Sequence, residues 1–184
     1  MTSTVDKSED KVVEKLLGWV KTKDTVSTSR AILADLRRGL RNAPSDQIRV
    51  ARCILPLLGE INDTPWEQTR EEWIFLGAAL FASHQMHVDE KANLGHAMRV
   101  LFDKTKSDSI EGRFLNLAAV RPDPDRMRAP LRHVVSLLAA HQIPLNWYTL
   151  MNDLVRMEAF EKDIKIAWAR DFYREPSSAQ IGPP

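Results

Sequence analysis

The sequence predicts an all-α protein of about nine helices in two small lobes or bundles, with no sheet. Three observations predict it. In every segment long enough to test, apolar residues recur at three- and four-residue intervals, as in a helix that turns one face to a core. No stretch sustains the two-residue alternation of a half-buried strand, and no Asn-Gly or Asp-Gly pair offers a tight hairpin. Helix-starting residues also punctuate the chain, above all Thr64-Pro65 with Glu67 three positions after the cap.

Taken in order, residues 1–7 read as a frayed start. The first helix runs from about Ser8 to Lys23 on Val12, Val13, Leu16, Leu17 and Val20. The second, from Ser29 to Arg41, has Thr28 or Ser29 as its cap and is stopped by Asn42 and Pro44. A third spans Ser45 to Leu58, where Pro56 should kink or shorten it and Gly59 closes it. The helix after Thr64 is apolar nearly all round between Trp73 and Ala82 and so belongs in the middle of a bundle, with Trp66, Trp73, Leu76 and Leu80 as its core stripe. Residues 85–92 read as a linker. Asn93 caps the next helix, and Ser109–Ala119 forms another. Residues 121–128 read as a turn-rich connection, with Pro130 opening the following helix; Ile143-Pro144 ends that helix, and Asn146 caps the one after it. Glu161–Arg174 is the last helix, and residues 175–184, rich in Pro and Ser, read as a disordered tail. The 184 residues suffice for one generous domain or two lobes, and the linker divides them into lobes at 8–84 and 93–174.

Composition excludes several functions. Net charge is only +1, so a uniformly basic nucleic-acid binder is ruled out and any such surface must be local. Cys53 is the only cysteine, which removes disulfides and thiolate metal sites and fits a reducing cytoplasm. The polar N-terminus lacks a signal peptide's apolar run, and the longest apolar stretch, Trp73–Ala82, falls short of the roughly 20 residues that span a bilayer, so no membrane association is expected. His84 and His87 stand at i, i+3, but His84 lies on the apolar stripe of its helix; a packed histidine is expected there, with no metal and no cofactor. No phosphate loop, nucleophile elbow or zinc-protease motif is present, and the clustered carboxylates of a metal-dependent nuclease are missing. The expectation is a protein that is not an enzyme.

The charge that remains is sorted. Residues 30–41 carry four cations and one anion, and residues 99–132 carry eight cations and five anions, on either side of an acidic middle. On a helical wheel Ile32, Leu33, Leu36 and Leu40 form the apolar stripe. Arg30, Arg37 and Arg41 line up within roughly 40° on another side, with Arg38 beside them. All four cations are arginine, whose planar fork suits bidentate contact with phosphate. With Arg99, Arg113, Arg121, Arg128 and Arg132 of the second block they are the candidate nucleic-acid-binding residues. Arginine rows without a recognition motif suit backbone contact rather than base reading. The competing reading is a purely structural interaction module that docks these arginines on acidic protein partners.

From residue 28 to 174 an ordered set of segments also resembles a known family. It comprises Arg30-Ala-Ile-Leu-Ala-Asp-Leu-Arg-Arg-Gly39, Asn93-Leu-Gly-His-Ala-Met98 and Ser109-Ile-Glu-Gly-Arg-Phe-Leu-Asn-Leu117, then Leu131 to Leu138, Leu145 to Leu154 and Trp168-Ala-Arg-Asp-Phe-Tyr173. Together they resemble the small subunit, of the CasB type, of Cascade, the type I-E CRISPR surveillance complex. The resemblance implies a non-catalytic, two-lobed helical protein that pairs with a second copy of itself. It implies contact with the repeated backbone subunits and the large subunit, and with the backbones of crRNA and target DNA, stabilising the R-loop in antiviral defence. His96, Gly112 and His133 stand where members of that family often carry arginine, which implies a weaker or shifted nucleic-acid surface.

Overall fold

The computed structural model describes residues 8–59 and 64–174; the frayed start and the disordered tail expected from the sequence lie outside the described residues. Within them the chain forms nine α-helices and one 3-10 turn. The helices of the first half are α1 (Ser8–Thr22), α2 (Ser27–Arg38), α3 (Pro44–Leu58) and α4 (Pro65–Ser83), with the 3-10 turn Gly39–Arg41 following α2. The second half holds α5 (Leu94–Thr105), α6 (Asp108–Ala119), α7 (Pro124–Ala140), α8 (Trp147–Arg156) and α9 (Glu161–Tyr173). No strand occurs among the described residues; the only β pairing among them is an isolated parallel bridge between His87 and Leu145.

A helix that is apolar all round must be surrounded, and α4 is. It packs against α1, α2 and α3 from its own half and against α7 and α8 from the other, burying Trp73, Leu76, Leu80 and Phe81. Beyond it α5 pairs with α9, and α6 packs on α5 and α7. The α5–α9 approach is close because residue 95 is glycine: a Cβ there would stand 1.8 Å from the Trp168 carbonyl oxygen. A single hydrophobic cluster runs through the buried residues of both halves.

Residues 84–93 are sewn to the segment ahead of α8. Val88 N–H donates to Leu145 O at 3.2 Å and Leu145 N–H donates to Met86 O at 3.3 Å. The Trp147 indole donates to Met86 O at 3.1 Å, and Asn146 Nδ2 donates to Glu90 O at 2.8 Å. His84 is buried, with Nε2 at 2.7 Å from Ile143 O, and burial holds its imidazole below the ordinary pKa.

Three capping expectations hold in detail. Thr64 accepts from Glu67 N–H, Asn93 from His96 N–H and Asn146 from Thr149 N–H. Four local expectations are corrected. Trp66 lies in the first turn of α4, at the edge of a concavity it shares with Val155 and Glu158, and is 62% exposed beneath the Arg70 guanidinium. Thr28 and Ser29 are both inside α2, whose cap position is Val26; the Ser29 hydroxyl meets Thr22 Oγ1 at 2.9 Å. Pro56 does not shorten α3, which carries it and continues to Leu58. Pro130 likewise sits inside α7. That helix starts at Pro124, because Asp123 caps it by accepting from Arg126 N–H at 2.9 Å.

Candidate nucleic-acid interface

Sequence places the arginines of α2 and of the 3-10 turn after it opposite the residues that anchor this stretch. Leu33, Leu36 and Leu40 are buried, so Arg30, Arg37, Arg38 and Arg41 are turned outward. Backbone carbonyls then fix two of the side chains: Arg30 Nε donates to Lys23 O at 3.3 Å and Arg37 Nε donates to Ala82 O at 3.1 Å. At the end of α2 the chain tightens into the Gly39–Arg41 turn, and Asn42, at φ 60°, stops it in the left-handed conformation. Gly39 is required there, since a Cβ would lie 2.4 Å from Val50 Cγ2 of α3.

The wheel does not foresee what faces this row. Arg132, projecting from α7, joins Arg37, Arg38 and Arg41 around an open concavity of about 380 Å³, floored by Ala34 and Leu40. Four guanidiniums line it and no carboxylate does. A second concavity, of about 280 Å³, adjoins it through Ala34 and Arg37, and is lined by Lys23, Asp24, Arg30, Leu33 and Gln85. Arg41 and Arg132 have no hydrogen-bond or ion-pair partner among the described residues, and Arg37 spends one donor on Ala82. The groove therefore presents unspent donors and positive potential to solvent, the requirements for holding a phosphate chain. Sequence reasoning missed Lys23 and Gln85. Lys23 Nζ donates to Gln85 Oε1 at 2.9 Å, a pairing across 62 positions that no local pattern signals.

The other arginines of the second block lie apart from this groove. Arg128 is buried: NH1 donates to Gly39 O at 3.2 Å, NH2 meets Asp125 at 3.3 Å, and Nε has no partner. It pins α7 to the end of α2 and so helps to set Arg132 opposite Arg41. Arg99 donates to Asp103 at 2.8 Å, which holds that carboxyl below its ordinary range, and it lies 5.6 Å from the Phe102 ring centroid. Arg113 donates to His133 Nε2 and lines a small concavity with Asn116, Pro130 and Val134. Arg121 is exposed after α6. His96, Gly112 and His133 are all at the surface.

No group of three or more His, Cys, Asp or Glu side chains among the described residues is placed to hold a metal ion, and no described helix is long and apolar enough to cross a membrane. His87 instead pairs with Asp89 at 3.1 Å.

Comparison with known proteins supplies the family. The model of CRISPR-associated protein Cse2 matches residues 32–173, nearly the whole described fold. The chain belongs to the Cse2 family. It is 29% identical over 169 residues to the CRISPR-associated protein Cse2 of Thermus thermophilus, covering 91% of this chain and 93% of that one. The crystal structure of CasB from Thermus thermophilus superposes with a TM-score of 0.68 at 29% identity, over 87% of this chain and 96% of that one. A chain of a solved CRISPR RNA-guided surveillance complex has the same fold, with a TM-score of 0.71 at 23% identity over 91% of this chain and 92% of that one. This Cse2-family chain thus keeps the helical fold of its relatives, as the sequence resemblance implied.

Proposed function

We propose that this Cse2-family protein is the non-catalytic small subunit of a type I-E Cascade complex in the cytoplasm. In this reading it holds the backbones of crRNA and target DNA without reading sequence, stabilises the R-loop, and sits as a pair of copies against the repeated backbone subunits and the large subunit. One observation carries the nucleic-acid part: Arg37, Arg38 and Arg41 from one end of the chain and Arg132 from the other line a single groove with no carboxylate in it. Family membership supports the rest. Phosphate contacts position a strand and carry no sequence information, so the groove suits a subunit that leaves sequence to base pairing. Arg30 on α2 and Lys23 ahead of it, with Asp24 beside them, line the adjoining concavity that extends it.

Binding to unrelated nucleic-acid sequences as a function of salt tests the reading. Replacing Arg37, Arg41 and Arg132 together by Ala should flatten the plot of log affinity against log salt by about 2 to 3, at ~0.7–0.9 for each phosphate no longer neutralised. Affinity should fall by a similar factor for every sequence. A folded variant that binds with unchanged slope would leave the groove to acidic protein partners instead.

A further inference from the structure

Asp35 is the one acidic residue of the first arginine block, and the fold gives it three partners. Its carboxylate, 11% exposed, takes Arg38 NH1 at 3.1 Å and Arg49 NH1 at 3.5 Å on Oδ1, and Arg52 NH2 at 2.9 Å on Oδ2. Arg38 follows on the same helix; Arg49 and Arg52 stand one turn apart on α3. Their side chains are 50%, 49% and 70% exposed, and no second carboxylate among the described residues pairs with any of them.

One negative charge therefore gathers three positive ones at the surface. Compensating Asp35 requires a single arginine, and each further guanidinium brought to the same carboxylate adds repulsion from the others. A surplus of this kind is relieved by an external anion. Each guanidinium has five N–H donors in a planar fork and gives one to Asp35, so each keeps donors for another acceptor. Arg38 also lines the groove with Arg37, Arg41 and Arg132, so the cluster and the groove are continuous. Arg49 and Arg52 escape a count of charge along the chain because they lie in its acidic middle.

We propose that Arg38, Arg49 and Arg52 form a second phosphate site with Asp35 as its positioning residue, carrying the nucleic-acid backbone from the groove onto α3. The inference rests on the function proposed above and adds the path of the strand. The test measures binding of the full-length chain to a labelled oligothymidylate across a salt series, with circular dichroism confirming the fold of each variant. Arg49→Ala/Arg52→Ala should flatten the salt slope by about 1.4, two phosphates at ~0.7 each on a single strand. If that pair unfolds, Arg49→Gln/Arg52→Gln, which keeps a donor for Asp35, makes the same comparison.

Asp35→Asn raises the net charge by one. Were Asp35 only a local neutraliser, this change would tighten binding, whereas release of the held geometry weakens it several-fold, the expected result. Tighter or unchanged binding overturns the positioning role. If the triple variant at Arg37, Arg41 and Arg132 flattens the slope and the α3 pair does not, the second site is overturned and the groove stands. If the α3 pair alone flattens it, the second site stands and the groove is overturned. If neither does, or the parent does not bind, both are overturned.

Discussion

At the scale of single residues, the fold makes Asp153 keep its proton to a higher pH than an ordinary aspartate does. It accepts from the Trp168 indole at 2.7 Å, and burial pushes its carboxyl up to about 6. Its folded pKa lies above its unfolded one, so between about pH 4 and pH 6 the native state binds more protons than the unfolded chain, and this contribution to stability is lost as pH rises through that window. Asp153→Asn keeps an acceptor for the indole and has no charge to titrate. Its melting temperature should therefore gain on the parent's as pH rises through the same window. A gap that does not change with pH would mean the carboxyl ionises in the fold as it does in the unfolded chain. Trp66 and Trp73 make a second pair of expectations. They lie seven positions apart on one stripe of α4, yet Trp73 is 1% exposed and Trp66 is 62% exposed. Trp73→Ala should cost about 3–5 kcal/mol in chemical denaturation, and Trp66→Ala within about 0.5 kcal/mol of nothing. Equal costs would place both indoles in the core.

At the scale of elements, the pairing of α5 with α9 depends on an absent side chain. The Trp168 carbonyl occupies the space a Cβ at Gly95 would need, and backbone cannot swing aside as a long side chain does. Gly95→Ala should separate the two helices at a cost of about 3 kcal/mol or more, read from urea titration. Gly77→Ala meets only the flexible end of Met151 and should cost less. If the two variants unfold alike, the close approach is not what glycine serves at position 95. Pro130 shows the same priority of context over propensity. It removes one backbone donor from α7, but the carbonyl that loses its helical partner belongs to Arg126, an exposed residue near the start of the helix, and the helix started by Asp123 and Pro124 runs on.

At the scale of the whole molecule, the arginines divide by what the fold does with them. Arg37, Arg41 and Arg132 face an open groove, while Arg128, from the same helix as Arg132, is buried against Gly39. Arg128→Ala should cost about 1–3 kcal/mol of stability by removing a buried tie between α7 and the Gly39 carbonyl, which Gln47 Nε2 and Asn42 N–H still bind, with the salt slope of nucleic-acid binding unchanged. The groove variant should show the reverse, a flatter slope and an unchanged melt. An Arg128 variant that melts like the parent and binds with a flatter slope would move that residue from the framework to the binding surface.

The sequence by itself determined the helices and much of the core. Periodicity and capping are local, and Thr64, Asn93 and Asn146 act on donors three residues away. The outward row of arginines on α2 was legible for the same reason, since a wheel fixes which residues oppose Leu33, Leu36 and Leu40. Tertiary structure alone decided what meets that row. Arg132 reaches the groove from α7 because Arg128 pins that helix to Gly39, 89 positions away in the chain. Arg49 and Arg52 gather on Asp35 because α3 folds back on α2, and Lys23 meets Gln85 across the end of α4. A carboxylate that looked like a lone charge on one helix became the centre of a cluster drawn from two. Charge acts through space, so a linear sequence lists the ions, while the packing of apolar faces settles which of them meet.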